Sequence, residues 1–429
     1  MKRFRGVLAL AAVAALMAAA CGGSSKSSKT SAGGSTAGKE PAAVPGFDPV
    51  TKTIHLGVIT PLTGSVAVIG VPLTAGTQVW FDHVNKDLGG IAGKYQVKLD
   101  IQDSQYVPAT GVQNYQQLKG SVVMFAQILG TPVTKAILPQ LKTDGMVAAP
   151  ASLDADWVRE PNLLPVGGPY QIQMINAADY LLNEGGMKGK TFCSEIQDDA
   201  YGQAGQQGID FAATNMNFTV KATAKHQSGA ADFTAQVQQL KSANCDVVFL
   251  VSTPSDTGKI LGTAAQLQFA PQWVGQSPSY IGALSQSALK DYMAAHFLLV
   301  SEGTDWNDTS VPGQKELLDA IAKFKPDQQP DYYFGFGYYE AEGVTQVLNK
   351  AVALGDLSHA GIMKAMEQVG TLTFNGLSGD YKYGTAADRD PPKNSTIFKV
   401  DPTKPVGLTK VKYNFTSEVA KKFVFKATP

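Results

Sequence analysis

The segment Thr53-Ile-His-Leu-Gly-Val-Ile-Thr-Pro-Leu-Thr-Gly-Ser-Val-Ala-Val-Ile-Gly70 constrains the fold more than any other part of the chain. Ile54, Leu56, Val58 and Ile59 form a short apolar run of strand type. Thr60-Pro-Leu-Thr-Gly64 then turns the chain, with Pro61 fixing φ and Gly64 relieving it. From Pro72 to Leu88 the residues Leu73, Gly76, Trp80, Val84 and Leu88 recur at three- and four-residue steps, and Gly89-Gly90 ends the run. That spacing predicts a helix packed on a sheet. Strand, polar glycine loop and helix together make the first unit of a doubly wound α/β domain, in which ligands sit beyond the carboxyl ends of the strands.

The same rhythm runs on. Tyr95, Val97, Leu99 and Ile101 alternate with polar residues, a helix starts at Pro108, and Ser121 to Ile128 reads as a strand. Leu129-Gly-Thr-Pro132 leads into a helix over 133–141, and Met146 to Ala149 is a strand ending at Pro150-Ala-Ser152. A second series follows. Helix 172–184 precedes strand 191–196, and the turn Gln197-Asp-Asp-Ala-Tyr-Gly202 opens helix 203–214. Strand 246–251 ends in Ser252-Thr-Pro-Ser-Asp256 and a helix through Leu267; strands 272–276 and 297–301 flank the loop Ser277-Pro-Ser-Tyr280. Helices are expected over 312–323, 332–354 and 359–369, then strand and loop from Gly376 to Val400. Such alternation implies parallel sheets with helices on both faces. At 429 residues the chain exceeds one ordinary core, so two lobes are expected.

The first residues set the compartment. Met1-Lys-Arg-Phe-Arg5 is positive, Gly6 to Ala20 is almost all Ala, Val and Leu, and Ala18-Ala-Ala20 precedes Cys21. These are the parts of a secretory signal peptide, with an apolar run too short to span a membrane. Cys21 after small residues resembles a bacterial lipobox, in which it becomes the lipidated mature N-terminus. The lipobox pattern favours Leu where Ala18 stands, and a plainly secreted protein is the alternative. From Gly22 to about Pro49 the chain is Ser, Gly, Lys, Thr, Ala and Pro, the composition of a flexible tether.

Charge is balanced at 36 basic against 36 acidic residues, and becomes 33 against 36 once Lys2, Arg3 and Arg5 leave with the leader. No basic face or arginine cluster appears, which argues against nucleic acid as a partner. Cys193 lies in the strand 191–196 and Cys245 just before the strand 246–251. An exported protein with such a pair invites a disulfide if the strands are neighbours; two buried thiols are the other reading.

Catalytic motifs fail. Gly275-Gln-Ser277-Pro-Ser279 imitates a nucleophile elbow but lacks the last glycine and a paired histidine. Gly335-Phe-Gly337-Tyr-Tyr-Glu340 lacks the final glycine of a dinucleotide loop and sits in a helical stretch. The histidines at 55, 83, 226, 296 and 359 have no ligand spacing. No nucleophile, base and orienting group assemble, so neither an enzyme nor a cofactor nor a metal is expected.

The order of these pieces resembles the leucine/isoleucine/valine-binding branch of type I periplasmic binding proteins, the solute receptors of ABC importers. The resemblance is carried by residues 54–64, by Asn85-Lys-Asp-Leu-Gly-Gly-Ile-Ala-Gly93, Asp103, Asp199-Ala-Tyr-Gly-Gln203, Asp232-Phe-Thr234 and Tyr338-Tyr-Glu-Ala341. It covers about residues 54 to 400. It implies a two-lobed α/β fold, each lobe a parallel sheet flanked by helices, joined by a multi-strand hinge. The divisions expected are a leader over 1–20, a tether over 21–52, lobe 1 over 53–170 and 303–374, and lobe 2 over 171–302 and 375–429.

The resemblance also implies where a solute sits: at Leu62 in the first turn, at Gly130 and Thr131, at Ala151 and Ser152, and at Tyr201, Thr253, Ser277 and Tyr333. Free N–H groups at the start of the helix after Pro132 suit a carboxylate or amide oxygen. Three positions depart from the family. Leu153 replaces a threonine, Thr253 a tyrosine, and Ser277 the acidic residue that holds a ligand's ammonium. A serine cannot neutralise a cation, and a buried ammonium without a carboxylate is costly. Asp256 could substitute, but a helix-start cap is its other role. Tyr333 or Phe334 could stack on the solute, or serve as packing. A small neutral or acidic polar solute, amino-acid-like, an amide or an aromatic carboxylate, therefore fits better than an ordinary zwitterionic branched-chain amino acid.

The expected protein is a monomeric receptor lipid-anchored to the outer face of the bacterial cytoplasmic membrane, serving the permease of an ABC importer. A surface sensor or adhesion lipoprotein built on the same fold is the rival.

Overall fold

The computed structural model describes residues 40–426; the leader, Cys21 and the first part of the expected tether lie outside them. Strand β1 (Phe47–Asp48) pairs antiparallel with the start of β2 (Thr53–Thr60). Helix α1 (Ala67–Lys86), β3 (Gln96–Asp103), α2 (Pro108–Leu118), β4 (Met124–Leu129), α3 (Thr131–Asp144) and β5 (Ala148–Ala151) follow. β2 pairs in parallel with both β3 and β4, and β4 with β5, so the spatial order is β3-β2-β4-β5.

The second series is α4 (Tyr170–Asn183), β6 (Phe192–Gln197), α5 (Ala200–Met216), β7 (Val220–His226), α6 (Thr234–Ser242), β8 (Val247–Val251), α7 (Pro254–Gln266), β9 (Gln272–Gln276), α8 (Lys290–His296) and β10 (Phe297–Ser301). Then come α9 (Pro312–Phe324), α10 (Tyr332–Leu354), α11 (His359–Gln368), the small pair β11 (Thr371–Leu372) and β12 (Tyr381–Lys382), β13 (Ser395–Val400) and β14 (Leu408–Phe415). The second sheet runs β14-β13-β10-β9-β8-β6-β7, with β13 alone running antiparallel to its neighbours, β10 and β14.

Helix α10 comes late in the chain yet belongs to the first sheet. It crosses α1 where Gly76 faces the backbone of Phe334 and Gly337 faces that of Leu73. A Cβ at either glycine would lie about 2 Å from a carbonyl oxygen, so no larger residue permits this approach. The chain therefore passes between lobes after β5, after β10 and before β13. The stretch before β13 stays with the first lobe beyond residue 375: Arg389 Nη1 donates to the carbonyls of Glu160 (2.8 Å) and Leu163 (3.0 Å).

Several boundaries differ from expectation for identifiable reasons. α1 starts at Ala67 and carries Pro72 in its second turn, where the ring removes a single backbone bond. Residues 41–52 are not a leash: Phe47 is buried and packs edge-to-face on Tyr95 at 5.2 Å. β7 and α6 fall in a stretch with no expected element, because β7 is an edge strand whose sequence Val-Lys-Ala-Thr-Ala-Lys-His holds few large apolar residues. Cys193 and Cys245 are joined, Cα–Cα 5.9 Å, since β6 and β8 are parallel neighbours and Cys245 leads into β8. Among the described residues no helix is long and apolar enough to cross a membrane.

Candidate functional site

Both sheets reverse their strand order beside their first strand, β2 in one lobe and β6 in the other. Crevices outside the carboxyl ends of strands at such points are where open α/β sheets bind ligands. Here the two crevices face each other and together line one cavity of about 50 Å³. The first lobe contributes α1 through Val66, Ile69 and Leu73, the residue Tyr106 beyond β3, Leu129 to Thr131 between β4 and α3, and Ala151 to Leu153 after β5. The second contributes Tyr170, Tyr201, Thr253, Ser277 and Pro278. Glu302 at the second crossing and Tyr332, Tyr333 and Phe336 at the start of α10 complete the wall.

The turn from β4 into α3 is the most constrained part. Gly130 has φ +107°, and a Cβ there would lie 2.6 Å from the Tyr106 ring, so glycine is required twice over. The first turn of a helix leaves its N–H groups without intrahelical acceptors, and Pro132 has none to offer. Thr131, which opens α3, is 1% exposed, and its Oγ1 has no hydrogen-bond partner. Among the described lining residues it is the enclosed polar atom left unpaired. Ser152 is already engaged, its Oγ accepting from Trp157 Nε1 at 3.1 Å.

Across the cleft Asp199 caps α5, its Oδ1 accepting from the N–H of Tyr201 (2.9 Å) and of Gly202 (3.2 Å). This fixes Tyr201, whose hydroxyl donates to the Ser252 carbonyl at 3.3 Å and whose ring meets Tyr170 edge-on at 5.2 Å. Asp331 caps α10 in the same way, and Tyr333 donates its hydroxyl to the Tyr280 carbonyl at 2.8 Å. Burial pushes the phenols of Tyr106, Tyr201 and Tyr333 well above their ordinary value, so all three are neutral rings. Gln197 Nε2 reaches the Tyr106 hydroxyl at 3.4 Å and so links the two lobes.

One carboxylate lines the space, and it is spoken for. Glu302 accepts from the Gly168 N–H (3.0 Å), from Ser378 Oγ (2.9 Å) and from the Tyr339 hydroxyl. Burial raises its pKa, which further disfavours a free negative charge there. Asp256 is turned away: its Oδ2 accepts from the Gly229 N–H at 2.8 Å, and its Oδ1 lies 3.7 Å from Lys259 Nζ. It does not cap its own helix, whose N-cap is Thr253.

Of the positions expected from sequence, Gly130, Thr131, Ala151, Ser152, Tyr201, Thr253, Ser277 and Tyr333 all line this space. Leu62 does not. Its N–H is drawn to Asp103 Oδ1 at 2.8 Å, which holds the turn after β2 outside the cleft wall. Phe334 is fully buried core, and Phe336, two residues on, faces the space instead. Sequence reasoning did not single out Val66, Ile69, Leu73, Tyr106, Tyr170, Tyr332 or Phe336. As a result the walls are more apolar and aromatic than a polar solute calls for.

The geometry agrees with known proteins. A profile of the family described as periplasmic binding protein matches residues 53–405. The chain is 28% identical over 373 residues to a Leu/Ile/Val-binding protein homolog of Brucella melitensis, covering 83% of this chain and 93% of that one. It resembles the solved fatty acid ABC transporter substrate-binding protein of Thermomonospora curvata, with TM-score 0.84 and 25% identity over 90% of this chain and 98% of that one. A branched chain amino acid ABC transporter structure from Thermus thermophilus with bound valine shares the fold at TM-score 0.75 and 16% identity, over 86% of this chain and 98% of that one. Proteins of this kind are extracytoplasmic solute receptors of ABC transporters and not enzymes. The chain belongs to the periplasmic binding protein family, as a type I member of its leucine/isoleucine/valine-binding branch.

Proposed function

We propose that this receptor captures an apolar monocarboxylate between its lobes and delivers it to the permease of an ABC importer, held to the membrane by lipid on Cys21. The observation that carries the reading is the unpaired, enclosed Thr131 hydroxyl at the start of α3, set among apolar and aromatic walls. A helix N-terminus with a free hydroxyl favours a carboxylate, through its N–H groups and its dipole. Nothing opposite is free to take an ammonium, because Ser277 is neutral and Glu302 already has its donors. An amino acid would bury that charge unpaired. The fatty acid named for the Thermomonospora protein is a solute of the kind inferred here.

The test is a thermal-shift panel on the mature domain with straight-chain and aromatic monocarboxylates, their amides, leucine and valine. A ligand at 100 times its Kd adds about 2.7 kcal/mol of stability. Shifts with the acids and not with the amides or amino acids are expected. A shift with leucine or valine alone refutes the reading. Membrane retention lost in Cys21→Ser tests the anchor.

A further inference from the structure

The space between the lobes has a neighbour. A second, small cavity of about 40 Å³ lies against the same stretch of wall and shares Glu302, Tyr332 and Phe336 with the first. Its other side is made by Trp306, Gln314, Leu317, Gly335 and Leu377. The three shared residues are not equally fixed. Tyr332 is tied by its hydroxyl to the Glu302 carbonyl at 2.9 Å, and Glu302 by its donors from Gly168, Ser378 and Tyr339. Phe336 has only packing, with its ring edge-on to Tyr339 at 4.9 Å. Beside it Gly335 has no side chain, and a Cβ there would meet nothing nearer than 3.7 Å. The wall common to the two spaces is therefore two residues held by hydrogen bonds and one ring, Phe336, held by packing alone. The far space also holds an unfinished polar group: Gln314 is 4% exposed, and its Nε2 is enclosed without an acceptor.

We infer that the second cavity is a subsite for the distal part of an elongated monocarboxylate, whose chain passes Phe336 and presents an oxygen to the Gln314 amide. This rests on the carboxylate reading of the first cavity. It adds that the solute is longer than one chamber and carries an acceptor, such as a hydroxyl or keto oxygen, near its far end. Tyr332 and Glu302 form the fixed side of the passage, and Phe336 swings.

The experiment is calorimetric titration with the sodium salts of straight-chain acids from butanoate to decanoate, and of their terminal hydroxy counterparts. Tryptophan emission is followed in parallel. Affinity is expected to tighten about fourfold per methylene once the chain enters the second cavity. The hydroxy acids of matching length should bind more tightly than the plain ones, and that preference should vanish in Gln314→Leu. Gly335→Leu, which fills only the second cavity, should leave butanoate binding unchanged and abolish the gain with length. Long acids should change the emission of the wild type but not of Trp306→Phe, which keeps an aromatic ring at this partly buried position. If the length profile is the same in Gly335→Leu, or the hydroxy acids hold no advantage, the inference is overturned while the carboxylate reading stands. If no acid binds, including butanoate, the carboxylate reading falls and takes the inference with it.

Discussion

Thr131 gives the sharpest test, because on the proposed reading its hydroxyl has a role only when a solute is present. Its Oγ1 is enclosed and unpaired, so Thr131→Val removes no bond from the unliganded fold and keeps the volume and branching of the side chain. The urea midpoint of the free protein is therefore expected to hold or rise, since an unmet buried polar group costs about 1–3 kcal/mol. For the ligand the sign reverses. A hydrogen bond to a charged acceptor is worth about 1.5–3 kcal/mol, so the Kd for a monocarboxylate should weaken roughly 10- to 150-fold. The corresponding amide, if it binds at all, should lose less. The assay pairs urea denaturation without ligand with calorimetric titration. A variant that is less stable by 1 kcal/mol or more yet keeps its affinity within about twofold would show the hydroxyl to be structural, and would refute the placement of the carboxylate.

Three further outcomes follow from named contacts. Glu340 is fully buried with neither oxygen paired, and burial holds its pKa well above 4.5, so its acid form is the folded form. Below pH 4.5 it is neutral folded and unfolded alike; above that only the unfolded chain ionises, and stability is lost as pH rises toward the folded value by about 1.4 kcal/mol per unit. Glu340→Gln should flatten this slope in melts between pH 5 and 8, and an unchanged slope would place the titration elsewhere. The Cys193–Cys245 bridge closes a separation of 52 residues, so the double serine variant should lose about 4 kcal/mol in urea denaturation by the chain-entropy account. Ser277→Asp restores a carboxylate opposite α3: it should weaken monocarboxylates at least tenfold, as like charges cost several kcal/mol, and strengthen valine. An unaltered ratio of the two affinities counts against Ser277 as the position that reads the ligand's charge.

Sequence carried the architecture well where local signals agree with burial. β9, β10 and α10 lie where the pattern of Gln272–Gln276, Phe297–Ser301 and Tyr332–Leu354 places them, each being bounded by clear turn chemistry. Polar cleft-lining residues such as Thr131 and Ser152 were legible because they follow strands. The apolar wall was not. Ile69 and Leu73, with Val66 at the N-cap, sit on the same face of α1 as core residues such as Val84, and helical periodicity treats all of them alike. Leu62 misled for the opposite reason. It stands at the end of β2, where ligand contacts occur, but Asp103 captures its N–H, a bond between residues 41 apart that no local pattern encodes.

What separates a ligand wall from a core in this protein is therefore not hydrophobicity but the accounting of polar groups. Buried polar atoms in folded proteins are nearly always paired, so the exceptions carry information. Glu302 is the one carboxyl group among the described residues that line the cleft, and on composition alone it would be chosen to hold a cation. Each of its oxygens already has a donor, from Tyr339, Gly168 or Ser378, and engaging a ligand would break the contacts that join the crossings between lobes. Thr131 and Gln314 are weaker groups, yet each offers a donor with nothing to meet it, one in either cavity. Donors without acceptors call for oxygen on the solute at both places, and the aromatic and aliphatic surface between them calls for carbon. The charge, the length and the polarity proposed for the captured molecule thus rest on the bonds the protein leaves unmade, more than on those it makes.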